Sequence, residues 1–137
     1  MSKGESISAL LGRWILAWLF LVLTYRYARD WSAMIGLLLA KGVPAAPFAL
    51  LSGLIVNVLG STSLLLGFHV RAGAAALFVI TIGSTLAVYD YWNLADPAAR
   101  QADFDLFARN IGIAGGLLLL IGVGPGKFAL DNLNEHV

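Results

Sequence analysis

The sequence contains no cysteine and few charged residues, and both absences limit what the chain can do. Without thiols it cannot form disulfides, Cys-ligated zinc sites, iron–sulfur clusters or CxxC redox centres. Charged residues make up 12% of the 137 residues, whereas a typical soluble domain has about 25%. The net charge of +1 provides no basic surface for nucleic acid. These values exclude a soluble enzyme, a disordered tail and a nucleic-acid-binding module, and any redox chemistry here requires a cofactor from elsewhere.

Long apolar runs take the place of the missing charges. Hydrophobic residues make up 59% of the chain, and Asp, Glu, Lys and Arg are absent from residues 42–70, 72–89 and 110–126. A fourth apolar run, residues 6–25, is interrupted only by Arg13. Each run is long enough to cross about 30 Å of hydrocarbon as a helix. The sequence therefore predicts an all-α, integral membrane four-helix bundle, which forms a single transmembrane domain over residues 1–137. Its spans lie near residues 7–25, 48–67, 72–89 and 104–124.

The first connection is long enough to contain a helix of its own. Asp30 can cap a helix start, Lys41 suits a last turn, Gly42 suits the position after a helix, and Pro44 prevents continuation. A helix over residues 31–40 would be about 15 Å long, too short to span the bilayer. We therefore expect a short interfacial helix between the first and second spans.

The third connection carries a second helix-start signal, since Asp96 is followed by Pro97. This pair predicts a short polar helix over residues 96–101. Four spans place both termini on the same side of the membrane. The basic residues on the two sides are nearly equal in number, so they do not decide the orientation.

Polar side chains within the apolar runs are costly in lipid, so each needs a partner or a function. Arg13 either reaches the headgroups or a neighbouring helix, or holds an anionic or carbonyl group of a cofactor or lipid. Asn57 either bonds across a close helix contact or belongs to a ligand site. Small and amide residues at helical spacing predict the helix-packing positions, which are Gly53, Asn57, Gly60, Ser61, Gly67, Gly112 and Gly116.

Aromatic and charged residues gather where the third span ends. Aromatics at this depth are either interface anchors or part of a ligand site. Asp90 lies at a helix C-terminus, where the helix dipole disfavours an acid, so we expect a basic partner for it, with Arg26, Arg29 and Arg109 on that side. Asp105 stands four residues before Arg109 and can pair with it. The candidate residues for a quinone, a lipid or a polar cluster are Arg13, Tyr89, Asp90, Trp92, Arg109 and Asn110. No catalytic residue is identified and no metal site is predicted, because His69 has no second ligand near it.

The ordered set of these features resembles the DoxX family of small four-helix bacterial membrane proteins, which are related to membrane subunits of thiosulfate:quinone oxidoreductase. The resemblance covers nearly the whole chain. The segments that carry it are residues 11–13, 19–21, 40–44, 60–71, 92–97, 110–116 and 124–126, with Asp131.

The resemblance implies a bacterial inner-membrane protein with both termini in the cytoplasm. At one position the chain departs from the family: Asn57 stands where the family's second span commonly carries Glu. An amide cannot exchange a proton as a carboxyl group does, which argues against proton-coupled chemistry there. The Lys that often follows the family's first span also has no match, since Tyr27 stands at that position.

Two functions follow from these observations. The first is a membrane subunit of a quinone-linked oxidoreductase or respiratory system, which anchors a redox partner and offers a groove to quinone or lipid. The second is a non-catalytic structural or accessory subunit that packs against a larger membrane protein complex. Both imply membrane lipids and other membrane subunits, or further copies of the chain, as partners. Neither implies an intrinsic cofactor or nucleic acid, and a quinone is the candidate bound molecule.

Overall fold

The computed structural model describes residues 3–126, 128 and 129, and this part of the chain is helical without strands. The five α-helices are α1 (Lys3–Arg29), α2 (Trp31–Ala40), α3 (Ala46–Leu66), α4 (Val70–Val88) and α5 (Pro97–Val123). A single 3₁₀ turn, Tyr91–Asn93, lies between α4 and α5. Helices α1, α3, α4 and α5 are long and apolar enough to cross a membrane, and α2 is a shorter apolar helix. The predicted membrane four-helix bundle is therefore confirmed.

The four spanning helices pack in the order α1, α3, α4, α5. Their inward faces meet in one apolar core, to which all four contribute: Ala17 and Phe20 from α1, Leu64 from α3, Ala74 and Leu77 from α4, and Leu117 from α5. The backbones of α1 and α5 do not approach closely. One side of the bundle, between α1 and α5, is therefore left open.

The connections follow the local sequence with one exception. Helix α2 has the predicted bounds, and at its C-terminus the backbone N–H of Lys41 donates to the carbonyl oxygen of Leu37, while that of Gly42 donates to the carbonyl oxygen of Leu39. Asp96 caps α5 by accepting a hydrogen bond from the N–H of Ala99 at 3.3 Å. The expected short helix over residues 96–101 is wrong as a separate element, because α5 continues from Pro97 to Val123. Neither Gly nor Pro occurs between Pro97 and Gly112, so nothing ends the helix there.

Candidate functional site

Asp90 is held at one end of the bundle by two donors. Lys41 Nζ lies 2.6 Å from Asp90 Oδ1, and Asn93 Nδ2 donates to Asp90 Oδ2 at 3.0 Å. The expected basic partner exists, but it is Lys41 and none of the three arginines considered from the sequence. Lys41 reaches Asp90 because helix α2 runs back towards α4 and places its C-cap residue, Lys41, beside the end of α4.

An aromatic cluster lies next to this ion pair. Tyr91 meets Trp92, Phe104 and Phe107 edge to face, with ring centroids 5.2, 5.1 and 5.3 Å apart. Such arrangements are the favoured geometry for aromatic pairs. Phe104 and Phe107 were not singled out from the sequence, although their spacing of three on one helix and the aromatic residues before α5 are signals that could have found them. Through these ring contacts the 3₁₀ turn packs against the N-terminal part of α5.

A cavity of about 380 Å³ opens beside the cluster. Tyr91 and Phe104 give it aromatic walls, and Arg100 and Gln101 give it polar ones. Its volume is within the range of roughly 300–1,000 Å³ that small-molecule sites occupy. It is an open depression at the surface rather than an enclosed pocket.

The other candidate residues on α4 and α5 lie near this end but do not all line the cavity. Tyr89 is the half-buried C-cap residue of α4, and Trp92 is 48% exposed. Asn110 Nδ2 donates to Thr85 Oγ1 at 3.0 Å and so ties α5 to α4. Arg109 is exposed on α5.

The expected pair between Asp105 and Arg109 is not formed. Asp105 Oδ1 accepts a hydrogen bond from Gln101 Nε2 at 2.9 Å, one turn earlier on the same helix. Both Asp105 and Arg109 are exposed on the surface of α5.

Arg13 lies at the opposite end of the bundle, apart from the Asp90 cluster. Its side chain is 1% exposed, its Nη1 donates to the carbonyl oxygen of Leu64 at 2.8 Å, and its Nη2 donates to that of Phe128. Trp14 Nε1 donates to the next carbonyl of α3, that of Leu65, at 3.2 Å. A cation is stabilised at a helix C-terminus, where carbonyl groups lack intrahelical partners. Arg13 therefore joins α1, the end of α3 and the segment that follows α5.

The helix-packing candidates fall into two groups. Gly60 and Gly67 face close neighbours: a Cβ added at Gly60 would lie 2.6 Å from Leu77 Cγ, and one at Gly67 would lie 2.5 Å from the Cβ of Ala129. Gly53, Gly112 and Gly116 face open space, since an added Cβ there would meet nothing within 4 Å. Of these five glycines, only Gly60 and Gly67 therefore lie at close contacts within the described chain.

Asn57 and Ser61 lie one turn apart on the buried face of α3. Asn57 Oδ1 and Ser61 Oγ, like Thr81 Oγ1 on α4, have no hydrogen-bond partner among the described residues. Within that part of the chain there is also no group of three or more His, Cys, Asp or Glu residues that could hold a metal ion. Arg13 is the one charged side chain that is buried among the described residues.

Comparison with known proteins identifies the family. The model of the SURF4 family matches residues 6–136. Inner membrane protein YqjF of Escherichia coli is 30% identical over 135 residues, which are 97% of this chain and 96% of the relative. Inner membrane protein YphA of the same organism is 25% identical over 128 residues, or 93% of this chain and 91% of the relative. The Surfeit locus protein 4 homolog of Schizosaccharomyces pombe is 30% identical over 79 residues, or 56% of this chain but only 26% of the relative.

The chain belongs to the SURF4 family and is a multi-pass inner-membrane protein in contact with lipid. No solved structure matches it. The resemblance to the DoxX family is wrong, because the family model and these relatives point elsewhere. Short apolar segments with glycines at helical spacing recur in unrelated membrane bundles, so such segments do not distinguish one family from another.

Proposed function

We propose that this chain is a non-catalytic accessory subunit that packs against a larger protein complex of the inner membrane. The observation that carries the proposal is that the two candidate side chains at opposite ends of the bundle, Arg13 and Asp90, are both engaged in bonds between structural elements. Arg13, the buried cation, donates to two backbone carbonyls, and Asp90 accepts from Lys41 and Asn93. Side chains that serve as catalytic acids, bases or nucleophiles need a free position for the reacting group. These residues instead hold helices together.

The outer surface of the bundle supports the same proposal. Gly53 and Gly112 lie on α3 and α5 with open space where a Cβ would stand. In membranes, helix association depends on small residues that let backbones approach closely, because lipid chains are as apolar as leucine. Glycines that have no close neighbour in the described part of the chain leave room for a helix of another protein.

The open bundle surface can be tested by cross-linking, and the absence of cysteine makes the experiment clean. One exposed residue on each spanning helix is replaced by cysteine in turn: Trp18, Leu59, Val79 and Leu119. Each variant is labelled with a benzophenone maleimide in native membranes and irradiated. We expect a protein adduct of one defined mass from one or two adjacent helices, and lipid adducts from the others. Lipid adducts alone at all four positions would contradict the accessory role.

A second candidate function is the binding of a quinone at the cavity beside the aromatic cluster. Aromatic walls from Tyr91 and Phe104, together with the donors of Arg100 and Gln101, favour a ring that carries carbonyl groups. The matched test compares Phe104→Ala with Phe48→Ala, which removes an exposed phenylalanine from α3. Quinone should co-purify with the wild type and Phe48→Ala and be lost from Phe104→Ala. Absence of quinone from solvent extracts of all three proteins would remove this candidate.

The orientation that we propose places both termini in the cytoplasm. Single cysteines at Lys3 and Ala95 lie at opposite ends of the bundle, since α1 begins at Lys3 and Ala95 precedes α5. A membrane-impermeant maleimide added outside intact inner-membrane spheroplasts should label the cysteine at position 95 and spare the one at position 3. The reverse labelling pattern would invert the orientation.

A further inference from the structure

The open side of the bundle contains a groove that nothing within the described chain fills. The groove has a volume of about 220 Å³ and lies between Ala9, Gly12 and Leu16 of α1 and Gly116 and Val123 of α5. Added Cβ atoms at Gly12 and Gly116 would meet nothing within 4 Å. The two glycines thus leave space between the helices.

The groove runs along α5 from the C-terminal end of that helix towards its middle. Gly124, at the C-terminus of α5, lines its outer end, and Gly116 lines its inner part. Eight residues of helix separate them, which corresponds to about 12 Å along the axis. The groove therefore lies parallel to the acyl chains of the surrounding leaflet.

Two arginines lie at the outer end of this groove. A Cβ added at Gly124 would lie 3.0 Å from Arg71 Nη2, so the guanidinium of Arg71 rests against the groove's outer end. Arg71 is exposed at the second position of α4, while Arg13 lines the groove from α1. Arg71 therefore places an exposed guanidinium at the outer end of the groove.

We propose that this groove binds one acyl chain of an anionic phospholipid whose phosphate contacts Arg71. The apolar groove fits the chain, and the exposed guanidinium of Arg71 fits the phosphate, since basic residues at membrane surfaces attract anionic headgroups. A cavity of about 150 Å³ can already hold a benzene molecule, so 220 Å³ accommodates a segment of acyl chain. A helix, about 10–12 Å across with its side chains, does not enter it. The site does not depend on the accessory role proposed above.

The test measures binding of phosphatidylglycerol and phosphatidylcholine to the purified, delipidated chain by native mass spectrometry. The groove is filled by Gly116→Leu, and the matched control is Gly115→Leu, which adds the same side chain at a neighbouring open position outside the groove. The wild type and Gly115→Leu should bind one phosphatidylglycerol, about fivefold more tightly than phosphatidylcholine. Gly116→Leu should lose this binding, and Gly12→Leu should repeat the loss from the other wall if the first variant fails to fold.

The charge is tested separately with Arg71→Gln, and Arg109→Gln serves as control because Arg109 is also exposed near a membrane face. Arg71→Gln should bind both lipids equally, while Arg109→Gln should keep the preference. Inorganic phosphate should not displace the lipid, because the acyl chain is part of the site. The proposal would be overturned if Gly115→Leu and Gly116→Leu bound the lipid equally, or if Arg71→Gln kept the preference for phosphatidylglycerol. It would also be overturned if phosphate alone displaced the lipid, or if the chain formed a dimer at the expense of lipid binding.

Discussion

At the scale of single residues, Arg13 shows how a charge is kept inside an apolar bundle. Burial of a guanidinium away from water is costly, and hydrogen bonds to carbonyl groups at a helix C-terminus offset that cost. The sequence indicated that Arg13 needed a partner, because it interrupts an apolar run. It could not identify Leu64 and Phe128, because they lie 51 and 115 residues further along the chain.

Replacement of Arg13 by methionine should destabilise the bundle while keeping its helices. The variant leaves the carbonyl oxygens of Leu64 and Phe128 without this donor. Hydrogen bonds to charged groups contribute about 1.5–3 kcal/mol, so the free energy of unfolding should fall by about that amount. Trp14→Phe is the control, since it removes one exposed bond to Leu65 and should have a smaller effect. Denaturant unfolding in detergent measures both. Equal or greater stability of Arg13→Met would mean that the cost of burying the charge dominates.

Gly67 tests the contact between the end of α3 and the segment after α5. Gly67 and Gly42 both have left-handed backbones, with φ of 73° and 78°. An alanine costs about 1–2 kcal/mol in this conformation, and both substitutions share that cost. An added Cβ at Gly67 would also overlap Ala129 and Arg13, whereas one at Gly42 would meet nothing within 4 Å. Gly67→Ala should therefore reduce the free energy of unfolding by about 1–3 kcal/mol more than Gly42→Ala. Similar losses in thermal unfolding would show that the close approach at Gly67 is unimportant.

At the scale of elements, local sequence signals predicted where helices begin and end better than they predicted which residues of different helices lie in contact. The bounds of α2 followed from Lys41, Gly42 and Pro44, because C-terminal signals and helix breakers act within a few residues, whereas Asp30 occupies the N-cap position without a side-chain capping bond. The partner of Asp90 did not follow, since it depends on how α2 folds back towards α4. Arg29 was expected near Asp90, but its Nε instead lies 3.6 Å from Oδ1 of Asp30 at the surface.

The Lys41–Asp90 pair should hold α2 against the bundle. None of the residues of α2 is buried, so the helix has little apolar packing of its own. Lys41→Met should increase hydrogen exchange in α2 by severalfold and leave the exchange of α3 and α4 unchanged. Asp90→Asn should act in the same way, and the double variant should exchange no faster than either single variant. Additive effects of the two substitutions, or no change in α2, would show that the pair is not what holds this helix.

At the scale of the whole molecule, composition predicted the class of protein but not the arrangement of its helices. The uncharged runs gave four spans, because any stretch of that length must be helical in lipid. The order α1, α3, α4, α5 and the open side between α1 and α5 depend on contacts between distant glycines and side chains, such as Gly60 with Leu77. The candidate residues separate into an Arg13 end and an Asp90 end, as the alternating directions of the four spans imply.

The accessory role makes one claim that can be measured directly, namely that the chain exists in its membrane as part of a larger complex. Native mass spectrometry of inner-membrane vesicles, with the chain at its natural expression level, measures the mass of that assembly without detergent extraction. The account predicts a species in which one or more copies of this 14.6 kDa chain are bound to a different membrane protein. A spectrum with only the free monomer, or only copies of the chain itself, would contradict it.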